Sequence, residues 1–158
     1  MSLLSAFFIS LNFYYSATKE TPAAGGTYTE GIVGQPTFIN PLITQANEID
    51  FDLTEILFSN LLELTENYKI SDDNKIWTIS LKKNLKWDDG YDLNADDVVF
   101  TVKTVQNPDI LSPLFSTWQG VEIEKMDNYE VRFQLKTPYA FFLDNLKKIG
   151  RASCRERV

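Results

Sequence analysis

An α+β fold is what this sequence predicts, on three observations. Residues 76–81 and 121–135 alternate apolar and polar side chains, as half-buried strands do. Residues 95–105 repeat apolar side chains at helical spacing, behind an asparagine suited to cap a helix. The two patterns follow one another without the regular β-α-β alternation of a parallel sheet.

The elements follow in chain order. From Met1 to Thr18 no residue is charged, and Leu3, Leu4, Phe7, Phe8, Ile9, Leu11 and Phe13 make the run strongly apolar. It is shorter than the roughly 20 apolar residues of a membrane span, and it lacks the basic start of an export signal. It reads as the C-terminal part of a signal or membrane anchor that starts upstream. A buried helix is the alternative, which Ser5, Ser10 and Asn12 keep open. Residues 19–26, with Lys, Glu, Thr, Pro and Gly, have a linker's composition. No cysteine near this segment offers a lipoprotein acylation site.

Residues 27–149 form the predicted domain. Tyr28, Ile32 and Val33 suggest a strand over Thr27–Val33 that Gly31 and Gly34 cut short. Gln35-Pro36 and Asn40-Pro41 then impose an extended, turning path, because the residue before proline avoids the helical region. Asn47 or Asp50 can cap a helix reaching about Leu64, with Leu53, Ile56, Leu57, Leu61 and Leu64 on its core face. Tyr68 to Lys75 is a polar connection, turning at Ser71-Asp72-Asp73-Asn74. In the strand 76–81, Trp77, Ile79 and Leu81 share one side. A second short strand, Leu85-Lys86-Trp87, ends in the turn Asp88-Asp89-Gly90.

Asn94 caps the next helix, and Asp97 three residues on can complete a capping box. Asn107-Pro108 ends that helix, and a loop runs from Pro108 to Gly120. Val121–Met126 and Tyr129–Leu135 form a hairpin, joined by Asp127-Asn128, residues that tolerate the left-handed conformations of a tight turn. Thr137-Pro138 opens a last helix with proline at its first position and Phe141, Phe142, Leu143 and Leu146 on its apolar side. Residues 150–158, with Arg151, Arg155 and Arg157, break sharply in composition and read as a non-native tail, with a genuine basic tail as the alternative.

Composition removes whole classes of chemistry. The chain has no histidine and one cysteine, Cys154, so His-based catalytic triads, Cys-His dyads, the usual zinc sites and any intrachain disulfide are absent. The net charge is −7 and no basic stripe is present, which argues against nucleic acid as a partner. Asp88, Asp89, Asp92, Asp96 and Asp97 are the densest charge cluster. Their spacing does not match a calcium loop, and a turn followed by a helix N-terminus accounts for all five. Nor does any spacing suggest the facing carboxylates of a glycosidase. No catalytic residue, metal site or cofactor is expected, and the chain reads as a binding protein.

The stretches Trp77–Leu81, Leu85–Gly90 and Leu93–Phe100 together resemble the signature of bacterial family 5 extracellular solute-binding proteins. Gly34 to Leu42 with its Asn-Pro pair, Leu57 to Glu63, and the hairpin and aromatic helix start over 121–142 agree in order. The resemblance covers about residues 26–148. It implies the N-terminal part of a two-lobed periplasmic-binding-protein-like fold, with a mixed sheet, an antiparallel hairpin and flanking helices. It also implies a monomeric substrate-binding component of an ABC importer, outside the cytoplasm, that captures a peptide or related small solute and hands it to a membrane permease. Position after the first strand marks Gly34, Gln35, Pro36, Phe38 and Asn40 as candidate ligand contacts. Trp118, in the loop 108–120, is expected to be exposed enough to stack on a ligand. Two other readings are a membrane-tethered interaction domain without a small-molecule ligand and, less favoured, a carboxylate-dependent glycosidase fragment.

Overall fold

In the computed structural model of the protein, residues 25–43 and 47–149 are described. The apolar segment 1–18, most of the linker 19–26 and the tail 150–158 lie outside the described residues. The chain divides into two compact units, Met1–Ile32 and Val33–Val158. In the first, residues 25–32 are exposed and carry no regular secondary structure. The strand expected over Thr27–Val33 does not form. Gly31 and Gly34 interrupt it, and none of the described strands pairs with it.

The second unit begins with α1, Glu48–Leu57, capped by Asn47, whose side chain accepts from the Ile49 amide. The single helix expected to reach Leu64 is in fact two. Phe58 takes an extended backbone, and α2, Leu61–Leu64, restarts behind Asn60 and its own capping box with Glu63. A carboxamide that can cap a new turn competes with continuation of the old one. The break turns Ile56 and Leu57 out to solvent, against expectation, while Leu61 and Leu64 stay buried.

Among the described residues four strands follow: β1 Thr65–Ile70, β2 Ile76–Leu81, β3 Glu122–Asp127 and β4 Glu130–Gln134. They form one sheet in the order β1-β2-β4-β3, and every pairing is antiparallel rather than mixed. Residues 65–70 are an edge strand exposed along most of its length, so that Tyr68–Ile70, the start of the connection expected over Tyr68–Lys75, belong to a strand. Its register places Tyr68 opposite Ile79 and Ile70 opposite Trp77, and Tyr68 stacks on Trp77 at 6.0 Å. The expected turn at Ser71–Asn74 closes this hairpin, with Asn74 at φ 55° and Asp73 accepting from the Ser71 hydroxyl at 2.5 Å.

The β3–β4 hairpin turns differently from expectation. Its two loop residues are Asn128 and Tyr129, and neither Asp127 nor Asn128 has a positive φ. The Asp127 carboxylate instead accepts from the Tyr129 amide at 2.6 Å, and a bulge between Lys125 and Asp127 takes up the register. Residues 85–87 form no strand, only a single bridge between Lys86 and Asp92 around the turn at Gly90.

Helix α3, Ala95–Val105, carries the expected Asn94–Asp97 capping box and packs against the sheet with Val98, Val102 and Val105 buried. A 3₁₀ turn, Pro108–Ile110, and the one-turn α4, Phe115–Trp118, fill what was expected to be a loop. The last helix, α5, Phe142–Lys148, starts four residues beyond Pro138, after a turn closed by the Phe142 amide on the Tyr139 carbonyl at 3.2 Å. Phe141 therefore stays exposed while Phe142 is buried. The alternation in β2 and β4 sends Trp77, Ile79, Leu81, Val131 and Phe133 to one face. There Phe142 joins an aromatic cluster, its ring centre 5.3 Å from Trp77, 5.4 Å from Phe133 and 5.7 Å from Trp118.

Candidate functional site

The segment 34–40 is pinned to the start of α1 by side chains that serve the loop as well as the helix. Asp50, in the first turn of α1, is buried. Its oxygens accept from the Thr37 amide at 2.8 Å, the Thr37 hydroxyl at 2.5 Å and the Phe38 amide at 2.9 Å. Burial pushes the carboxyl upward in pKa. The Thr37 hydroxyl and the two amides outweigh that, and they hold it below its ordinary 3.8. The carboxylate is thus ionised and occupied, a structural anchor rather than an acid or base.

Asn47 reinforces the anchor. Its Oδ1 accepts from the Ile49 amide at 3.0 Å, while its Nδ2 donates to the Gln35 carbonyl at 3.2 Å and to the Thr37 hydroxyl at 3.4 Å. Gly34 sits at φ 143°, and a Cβ there would stand 2.0 Å from the Ile49 Cδ1. Glycine is needed both for the backbone angle and for the approach of Ile49. At the far end, the Asn40 Oδ1 accepts from the Leu42 amide at 2.9 Å. The Leu42 carbonyl in turn accepts from the buried Ser112 hydroxyl at 2.5 Å.

These anchors consume the inward amides and leave the outer face of the loop to solvent. Gln35, Pro36 and Phe38 are exposed, Phe38 at 65%. Asn40 is half-buried and already bonded to its own loop. The structure therefore brings Gly34, Gln35, Pro36, Phe38 and Asn40 together on one braced ledge that offers an apolar ring and a side-chain amide. Such a surface can hold a ligand without any moving charge, because no nucleophile or acid–base pair is built into it.

Trp118 does not belong to this ledge, and its expected exposure is corrected. Its exposure is 0%, and its ring centre lies 5.9 Å from Phe133 in the core. The short helix α4 ends at Trp118 and points the indole inward, where Gln106 Nε2 donates to the Trp118 carbonyl at 2.9 Å and the Val121 carbonyl at 2.6 Å. A periodic pattern too short to register as a helix concealed this.

Four of the five clustered aspartates have structural partners. Asp92 pairs with Lys86 at 2.9 Å, and Asp96 with Lys125 at 2.7 Å. Asp97 accepts from the Asn94 amide at 3.0 Å and the Trp87 indole at 3.3 Å, and Asp89 from the Tyr91 amide at 3.1 Å. Among the described residues no three His, Cys, Asp or Glu side chains converge as a metal site, and no helix is long and apolar enough to cross a membrane. The anchors Asp50, Thr37 and Ser112 were not singled out as site residues by sequence. The one available signal was the pair Asn47 and Asp50, two cap-type residues three apart where a helix start needs only one.

Comparison with known proteins bears on what this arrangement serves. A family model described as bacterial extracellular solute-binding proteins, family 5 Middle, matches residues 62–153. The oligopeptide-binding protein AppA of Bacillus subtilis (strain 168) is 33% identical over 135 residues, covering 78% of this chain and 25% of that protein. The dipeptide-binding protein of Escherichia coli (strain K12) is 32% identical over 124 residues, covering 67% and 22%. The structure of AppA from Bacillus subtilis in complex with a nonapeptide superposes with a TM-score of 0.69 at 30% identity, over 77% of this chain and 26% of that one. NikZ from Campylobacter jejuni in complex with Ni(L-His) gives 0.66 at 26% identity, over 74% and 25%. The chain spans about a quarter of the length of the curated relatives it matches.

Proposed function

Because this chain belongs to the bacterial extracellular solute-binding proteins of family 5, we propose that it serves as the substrate-binding component of an ABC importer, taking up peptides or a related small solute outside the cytoplasm. Relatives that bind oligopeptides and dipeptides support the solute class. In this reading residues 27–149 are part of one lobe, the apolar segment 1–18 tethers the protein to the membrane, and a permease receives the solute. The protein acts as a monomer and without chemistry on its ligand. Capture by such proteins comes from enclosing the solute between lobes, so a single lobe presents only half of the contacts.

The observation that carries the proposal is the braced ledge 34–40. A loop held by a buried, fully bonded carboxylate is ordered before ligand arrives, so binding there loses little conformational entropy. Peptide backbones need this kind of surface: placed polar groups beside an apolar ring, tolerant of varied side chains. Titration of the isotope-labelled chain with a mixture of tripeptides, followed by amide chemical shifts, tests it. Weak binding with shifts at Gln35, Phe38 and Asn40 is expected. Shifts confined to other surfaces, or none at millimolar peptide, would overturn the assignment of the ledge.

A further inference from the structure

A groove of about 340 Å³, separate from the ledge, opens between the end of α4, the end of β4 and α5. Val121, Leu135 and Phe142 form its apolar floor, and Gln119, Lys136 and Thr137 contribute polar groups.

Two features of this groove lack a structural explanation. Asn145 of α5 lines it and is only 4% exposed. Its carboxamide makes no hydrogen bond among the described residues, yet its atoms are not sealed from the open space of the groove. Buried carboxamides ordinarily find partners, so this one presents a donor and an acceptor to whatever enters. Among the described residues of the lining Lys136 alone is charged, and it belongs to none of the ion pairs of the described residues. Its side chain lies across Gly120. A Cβ on Gly120 would stand 3.1 Å from both its Cε and its Nζ, and Gly120 holds φ 83°. Glycine at that position lets the lysine lie along the groove.

We propose that this groove is a second ligand site, for a small amphipathic carboxylate. The apolar body of the ligand rests on Val121, Leu135 and Phe142. Its carboxylate pairs with Lys136, and the Asn145 amide bonds the polar group next to it. In a chain of net charge −7 an anion approaches only where a local cation offsets the general repulsion, and Lys136 supplies that cation. Free organic acids and peptide C-termini share this chemistry.

The test is a chemical-shift titration of the whole 158-residue chain with N-acetyl-leucine, N-acetyl-leucine amide and a tripeptide ending in leucine. Shifts are expected at Gly120, Lys136 and the Asn145 side-chain amide. The amide ligand should bind about tenfold more weakly, as should the acid with Lys136→Gln, each change removing one charge-assisted contact. Asn145→Leu keeps the volume and should weaken binding to a similar extent, and Lys136→Gln, at an exposed position, keeps the test open if that variant does not fold. Tripeptide binding equal to the acid identifies peptide C-termini as the source, and binding of the acid alone identifies free acids. Equal affinity for acid and amide, indifference to Lys136→Gln, or no shifts in the groove at millimolar ligand would overturn the site. Failure here leaves the ledge at 34–40 untouched, since the two sets of reporting amides do not overlap.

Discussion

Replacing Trp118 by phenylalanine should leave the stability of the domain within about 1 kcal/mol of its present value, although the residue is fully buried. Two costs and one gain decide this. Shrinking the ring leaves a cavity of roughly 40 Å³, which costs about 1 kcal/mol at about 24 cal/mol per Å³. The lost apolar transfer of the missing ring atoms costs about 1 kcal/mol more. Against these, the Trp118 Nε1 is buried with no hydrogen-bond partner among the described residues. An orphaned buried donor carries a penalty of about 1–3 kcal/mol, which phenylalanine removes. Trp118→Ala has no such compensation. It strips contacts with Phe133 and Phe142 and should cost about 3–5 kcal/mol, a large share of the roughly 5–15 kcal/mol that holds a domain together. Urea unfolding followed by far-ultraviolet circular dichroism measures both, with an unchanged slope confirming that the same surface unfolds. A phenylalanine variant that loses about 3 kcal/mol or more would refute the account of the unpaired indole.

Two further predictions follow from the anchors. Asp50→Ala should release the ledge, seen as faster hydrogen exchange at the Thr37 and Phe38 amides while the sheet amides stay protected. Acid should do the same in the unaltered protein. The folded pKa of Asp50 lies below 3.8, so its contribution is complete above 3.8 and is lost as pH falls through the lower folded value. Protection of these two amides that persists well below that value would contradict it. Asn94→Ala removes the cap of α3 and half of its capping box, and should cost about 1 kcal/mol of unfolding free energy.

The parts of the fold legible in sequence were those where a local rule and the tertiary structure agree. Alternation located β2 and β4 because both are covered on one face by helices, so the pattern reports burial directly. Asn94 with Asp97 announced α3 because capping is decided within four residues. Strand β1 was missed for the opposite reason. It is an edge strand with little buried on either face, and only its pairing with β2 makes it a strand. The segment 27–33 shows the converse, since β-forming side chains without a paired neighbour do not make a sheet.

The ledge was located by proline and glycine, which shape a path, and not by the residues that hold it. Pro36 and Pro41 exclude helix, and that much is local. What fixes the loop is Asp50, 13 residues beyond Thr37 in sequence, and Ser112, 70 residues beyond Leu42. No periodicity encodes a contact of that separation. A carboxylate in a first helical turn looks in sequence like any residue favoured by the helix dipole. Only its burial among three donors distinguishes an anchor from a surface charge. Trp118 makes the same point in reverse. An aromatic residue in an expected loop suggests exposure, yet one turn of helix, held by Gln106 bonding the Trp118 and Val121 carbonyls, suffices to turn it inward. Long-range polar contacts thus decide which face of each loop is presented to a ligand, and in this chain they leave Phe38 outside and Trp118 within.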